Sequence, residues 1–281
     1  MAYPIKWGDE PRLDSNKGHV YKSATAALAD GRFVAVWAVM RDGGGEEVHG
    51  QIFNADGSRK GAEFVLPASG PLGLASVDAL PDGGFAVAWE DFATVSPLVR
   101  AQTFDVHGNA TTAQILVSGT TVDWEYAPQI ASRPGGGFVT AWKAYDPVQN
   151  DFNVMVRVFD AGAPTGNLPR FAAGSGSAPF YPEIEVLAGG RIVATWSDLD
   201  AAYVRIFNTD GTAAGAAVAL HGVASTARLP VVTPLADGRF VAVWMHSPGE
   251  ESDIHAQVFD ANGDKSGPPI VVNATTADNQ Y

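Results

Sequence analysis

One decapeptide occurs twice in this chain without a single change. LADGRFVAVW ends at Trp37 and again at Trp244. Three variants lie between: LPDGGFAVAW ends at Trp89, RPGGGFVTAW at Trp142 and LAGGRIVATW at Trp196. The spacings between successive tryptophans are 52, 53, 54 and 48 residues. Repetition at a period near 50 dictates architecture before any other property does, because each unit must bury its apolar face against the next.

A second phrase follows each tryptophan: HGQIFNADG around Phe53, RAQTFDVHG around Phe104, MVRVFDAGA around Phe159, YVRIFNTDG around Phe207 and HAQVFDANG around Phe259. Each unit therefore reads as four strands. In the second unit, strand a covers Ala75 to Leu80. The turn Pro81-Asp82-Gly83-Gly84 leads to strand b, Phe85 to Trp89. Strand c covers Val99 to Phe104, and strand d covers Gln114 to Val117. Phe85, Val87 and Trp89 alternate onto one face, and Asp/Asn–Gly pairs between β-branched runs are hairpin turns. No helical period is present.

Five such units predict an all-β fold: a five-bladed β-propeller of four-stranded antiparallel blades, with residues 1–281 forming one domain. Two separate sandwiches are the runner-up. Residues 11–24 and 269–281 overlap in repeat phase. A terminal-strand closure is therefore expected, one end completing a blade with strands from the other and so removing a free sheet edge.

The DGxFVVxW-like strand, the AQxFDxxG-like turn and the VNATTADNQ segment near the C-terminus resemble a bacterial repeat of large secreted, RTX-type and adhesin-like proteins. The five-bladed arrangement is also similar to that of tachylectin-like sugar-binding propellers. The likeness to lectins is one of architecture and brings no site residue with it. The glycine-rich RTX calcium nonapeptides are absent.

Composition narrows the chemistry. Cysteine is absent, which removes disulfides, thiolate metal sites and thiol nucleophiles. A net charge of −13 opposes nucleic-acid binding. No apolar run is long enough for a membrane-spanning helix, and MAYPIKWGDE lacks the core of a secretory signal. Expected locations are secretion or the cell surface without a cleaved signal, with the cytoplasm as the alternative.

HExxH, GxSxG and P-loop motifs are missing. Gly135-Gly136-Gly137 occupies a repeat turn. The six histidines, His19, His49, His107, His221, His246 and His255, form no HxH or HxxxH pair and read as structural or surface residues. Asn54-Ala55-Asp56-Gly57 and Asp260-Ala261-Asn262-Gly263-Asp264 resemble fragments of a calcium loop but lack its distal glutamate, and they lie where a hairpin requires these residues. The expectation is no metal and no cofactor. The repeat tryptophans and phenylalanines are expected to pack between blades.

The a–b and c–d hairpins fall on one face of the disc, and the variable b–c and d–a connections on the other. Variable loops on a rigid scaffold are the usual place for binding. Aromatic rings beside carboxylates suit sugars, since a ring covers the apolar face of a pyranose and the acids accept hydroxyl hydrogen bonds. The expected sites lie between neighbouring blades. One groups Trp124, Glu125 and Tyr126 with Glu90 and Asp91, or with Tyr145 and Asp146. A second groups Tyr181 with Asp198 and Asp200, and a third Tyr21 with Asp42. The leading functional reading is a monomeric, non-enzymatic carbohydrate-binding protein, a bacterial lectin whose partners are cell-surface or extracellular glycans. A structural or protein-binding propeller is the alternative, and a propeller glycosidase or lyase the third reading.

Overall fold

The computed structural model describes residues 19–40, 46–66, 75–92, 96–118, 124–147, 150–160, 163–165, 170–171, 180–198, 201–221, 226–247 and 252–274. Among them there is no helix, and the strands form five antiparallel sheets, each from one continuous stretch of sequence. The first holds β1 (His19–Ala27), β2 (Phe33–Met40), β3 (Glu46–Phe53) and β4 (Arg59–Leu66). The second holds β5 (Ala75–Ala79), β6 (Phe85–Asp91), β7 (Leu98–Phe104) and β8 (Ile115–Leu116). In the third, β9 (Glu125–Ser132), β10 (Phe138–Asp146) and β11 (Asp151–Asp160) are followed by β12 (Ala163–Thr165) and β13 (Arg170–Phe171), both paired to β11. The fourth holds β14 (Phe180–Val186), β15 (Ile192–Ser197), β16 (Ala202–Phe207) and β17 (Val218–Ala219). The fifth holds β18 (Thr226–Pro234), β19 (Phe240–Ser247), β20 (Asp253–Phe259) and β21 (Ile270–Val271).

The hairpins have the geometry their residues demand. In the second sheet, Leu80 N donates to Gly84 O at 2.8 Å and Gly83 N to Leu80 O at 3.0 Å, with Gly83 at φ 89°. This is a turn closed by a left-handed residue, a conformation that glycine adopts without a Cβ penalty. The aspartates of these turns are occupied by the backbone. Asp56 Oδ1 accepts from Ser58 N at 2.9 Å, and Asp260 Oδ1 from Asn262 N at 2.8 Å and Asp264 N at 3.0 Å. Both calcium-loop lookalikes are thus hydrogen-bonded turns.

Strands β6 and β15 are buried on both faces, not on one, whereas β19 alternates between buried and half-buried residues. Every residue of β6 and β15 is buried, because a sheet lies on either side. Trp89 packs with Val34 and Val36 of the first sheet. Trp142 packs with Ala86, Ala88, Val99 and Ala101 of the second. Trp196 meets Val154 of the third, and Trp244 meets Val204 and Ile206 of the fourth. Each of these tryptophans therefore sits in the seam with the preceding sheet, where a large ring buries the most apolar area. The repeat phenylalanines stack across strands b and c: Phe85 on Phe104 at 5.1 Å, Phe138 on Phe159 at 4.8 Å and Phe240 on Phe259 at 5.0 Å.

The expected exchange of terminal strands is absent from the described residues. The outer strand of the fifth sheet is β21, supplied by that sheet's own segment and paired to His255 and Ala256. The reason is register: the repeat begins with strand a at His19 and completes its fourth strand at Val271, so no sheet lacks a member. Residues 1–18 lie outside the described part of the chain.

Candidate functional site

The innermost strands carry a feature that the repeat phrases conceal. In β9, β14 and β18 two residues face one on the partner strand. Residues 127–128 oppose Trp142, residues 181–182 oppose Trp196, and residues 229–230 oppose Trp244. In β1 the same irregularity leaves Lys22 between Tyr21 and Ser23. These are β-bulges, each bending its strand. The first bulged residue is left-handed without being glycine: Lys22 at φ 49°, Ala127 at 51°, Tyr181 at 43° and Leu229 at 50°. Each lies fifteen positions before its repeat tryptophan (22 to 37, 127 to 142, 181 to 196, 229 to 244). The next residue is proline in three blades, Pro128, Pro182 and Pro230, which leaves no N–H without a ladder partner. The signal was therefore in the sequence as a residue–proline pair at constant phase.

All four left-handed residues line one cavity of about 390 Å³. It lies among the first strands of all five sheets, not between two neighbours. Ala75, Gln129, Glu183 and Val231 complete much of its wall. Non-glycine residues at positive φ cost roughly 1 kcal/mol or more each and persist where the surroundings impose them. Here four converge on one space.

Glu183 is the carboxylate of this wall, and a hydrogen-bond chain across three sheets orients it. Ser76 Oγ donates to Gln129 Oε1 at 3.0 Å, and Gln129 Nε2 donates to Glu183 Oε1 at 3.4 Å. Burial, and then the charge of Glu185, push the Glu183 carboxyl up to about 7. Burial, and then the charge of Asp78, push Glu185 up to about 7 as well. Asp78 Oδ2 in turn accepts from Ser132 N at 2.6 Å. Crowding of carboxylates with little water favours the protonated form. Glu183 is thus an acid that still holds its proton near neutrality, facing a cavity with Tyr181 52% exposed beside it.

The residues expected to form inter-blade sugar sites are distributed differently. Glu90, Asp91, Glu125, Asp146 and Asp198 are all buried. Glu90 Oε1 accepts from Ala127 N at 2.6 Å and so holds the bulge of the next blade. Glu125 accepts from Val99 N at 2.8 Å and from Trp142 Nε1 at 3.2 Å; burial pushes it up to about 7. Asp91 pairs with Arg100, and Asp198 Oδ1 accepts from Ala201 N at 2.8 Å. These acids stand at strand ends, where backbone N–H groups leave the ladder and need acceptors. Their role as exposed hydroxyl acceptors is corrected accordingly.

Three of the aromatic residues, Trp124, Tyr126 and Tyr145, share one ring cluster with Phe152. Trp124, 48% exposed, lies 6.2 Å from Tyr126; Tyr126 lies 6.1 Å from Phe152, and Phe152 lies 5.3 Å from Tyr145. The cluster belongs to one blade. Tyr181 faces the central cavity. Tyr21 pairs with Ala38 beside the Lys22 bulge. Asp42 and Asp200 lie outside the described residues.

No family model matches the chain, and no curated protein matches its sequence. The RTX, adhesin and tachylectin resemblances therefore gain no support there. Solved structures do match. A protein of unknown function from Dyadobacter fermentans is 12% identical, with 92% of this chain and 84% of that one covered and a TM-score of 0.61. An alpha-L-arabinofuranosidase from Lactobacillus brevis is 12% identical over 90% of this chain and 95% of that one, with a TM-score of 0.52. An alpha-L-arabinanase from Penicillium chrysogenum, complexed with arabinobiose, is 14% identical over 71% and 67%, with a TM-score of 0.51. At such identities the likeness establishes an all-β propeller fold. The expectation of a non-enzymatic lectin is overturned here: the named propellers that share this fold are mainly glycoside hydrolases.

Proposed function

We propose that the chain is a propeller glycosidase that cleaves a glycan in its central cavity, with the five sheets closing around that cavity as one domain. The observation that carries this reading is Glu183: a carboxyl raised to about 7, oriented by Gln129, on the wall of a cavity fed by all five sheets. Glycoside cleavage needs a carboxylic acid that is still protonated at working pH to donate to the leaving oxygen. Gln129 engages Oε1 and so leaves Oε2 to carry that proton. Tyr181, Leu229 and Val231 offer apolar surface to a sugar ring. The arabinanase and arabinofuranosidase of like fold make arabinose-containing glycans the first substrates to try.

The test is release of reducing ends from arabinan, arabinobiose and a panel of other polysaccharides. Glu183→Gln is expected to lower the rate by about 10²–10⁴-fold with the melting temperature retained. Product formation by that variant at the full rate would remove Glu183 from the mechanism. No product from any substrate of the panel would overturn the glycosidase reading itself.

A further inference from the structure

We infer that Trp124 and Tyr126 form a distal sugar-binding platform, which makes the substrate an oligomeric glycan rather than a single terminal sugar; the inference rests on cleavage taking place in the central cavity. Among the described residues, six other than glycine adopt a left-handed backbone. Four of them line the cavity, and asparagine, as at Asn150, tolerates the conformation. The sixth is Trp124, at φ 61°. Bulky residues at such angles are outliers, and outliers gather where ligands are held. Two backbone hydrogen bonds hold the segment: Tyr145 N donates to Trp124 O at 3.1 Å, and Glu125 N donates to Pro97 O at 2.8 Å. The strain does not serve burial. The five repeat tryptophans are at most 1% exposed, whereas Trp124 is 48% exposed.

The platform is continuous with the cavity wall. Val139 and Ala141 of β10 pack with Ile184 and Ala194 of the fourth sheet, while Trp142 packs on the second. Side chains alternate along a strand, so Lys143 and Tyr145 continue the face turned to the fourth sheet. Register sets Gln129 opposite Ala141 and Tyr126 opposite Lys143, and the bond from Tyr145 N adds Trp124 to the same row. Gln129 is the residue that orients Glu183. From Gln129 to Trp124 the row runs alongside β10 from Ala141 to Tyr145, about 13 Å, a distance that a glycan of several residues covers. Phe152 and Tyr145 support the pair. Phe152 lies 6.1 Å from Tyr126 and 5.3 Å from Tyr145, whose hydroxyl donates to Asn150 Oδ1 at 2.7 Å. An exposed indole covers the apolar face of a sugar ring, and its N–H and the tyrosine hydroxyl can bond to sugar hydroxyls.

The experiment uses the full chain carrying Glu183→Gln, so that oligomers persist, and follows tryptophan fluorescence during titration. The probes are arabinose, arabinobiose and arabinohexaose, with oligomers of the other polysaccharides of the panel. Arabinohexaose is expected to bind more tightly than arabinobiose and to shift the emission. Trp124→Asn removes the ring and suits the left-handed backbone; it is expected to lose the shift and about tenfold in affinity, with the melting temperature retained. In the active chain the same substitution is expected to lower kcat/KM on arabinan about tenfold and to leave an aryl arabinoside unaffected, and Trp124→Tyr to restore most of the loss. Hexaose affinity unaltered by Trp124→Asn, an equal loss on polymer and aryl glycoside, or no response to any oligomer would overturn the platform. Binding that depends on Trp124 without product from any substrate would overturn the glycosidase reading and leave the platform standing.

Discussion

At the scale of single residues, environment decides what each acid does. Glu125, Glu183 and Glu185 titrate near 4.5 when unfolded and about 7 when folded. Between those values the folded chain binds protons that the unfolded chain has released. This contribution to stability is therefore lost as pH rises from about 4.5 to 7, and is level above. The melting temperature is expected to be higher at pH 5 than at pH 8, and Glu185→Gln to flatten part of that fall. The same substitution removes a charge that keeps the proton on Glu183. If Glu183 is the acid, the alkaline limb of the pH–rate profile should move to lower pH in Glu185→Gln while the reaction persists; an unmoved limb would separate the two residues. The density of carboxylates near loops does not distinguish Glu90 and Glu125, consumed by Ala127 N, Val99 N and Trp142 Nε1, from Glu183, which faces a cavity, because that difference is made by neighbours distant in the chain. Glycine roles are more legible. A Cβ on Gly84 would lie 2.2 Å from the Phe104 carbonyl oxygen, so Gly84→Ala is expected to cost about 2 kcal/mol in denaturant unfolding.

At the scale of elements, strands b and c were readable because period-two apolar runs bounded by Asp–Gly turns leave few alternatives. Strand a was readable in place but not in shape. The bulges opposite Trp142, Trp196 and Trp244 depend on the pairing of two strands, and only the recurring Pro128, Pro182 and Pro230 betray them in the chain. Leu229 tests their strain cleanly, since its side chain is 57% exposed and its φ is 50°. Leu229→Gly is expected to raise the unfolding free energy by about 0.5–1 kcal/mol, and Leu229→Val, β-branched, to lower it. A denaturant titration in which glycine destabilised the protein would mean that the leucine side chain contributes more than its backbone costs.

At the scale of the whole molecule, stability resides in the seams. Four run in sequence order, first sheet on second through fourth on fifth, and each holds a repeat tryptophan of the later sheet. Trp142→Ala is expected to cost about 3–5 kcal/mol by emptying one of them. The chain end should matter far less. β21 contributes Ile270 and Val271, both exposed, so removal of residues 268–281 is expected to lower the melting temperature by only a few degrees. A collapse of the fold on that truncation would show that the end of the chain holds the sheets together. From the sequence by itself follow the five four-stranded units, their strand order, the turns and the identity of the seam residues. All of these rest on local pattern and on a period that repeats the same physical problem five times. Only the tertiary structure decided where chemistry can occur. The cavity and the burial of Glu183 each require groups from different sheets to share one small volume. Such proximity sets desolvation and charge coupling, and no local pattern in the chain encodes it.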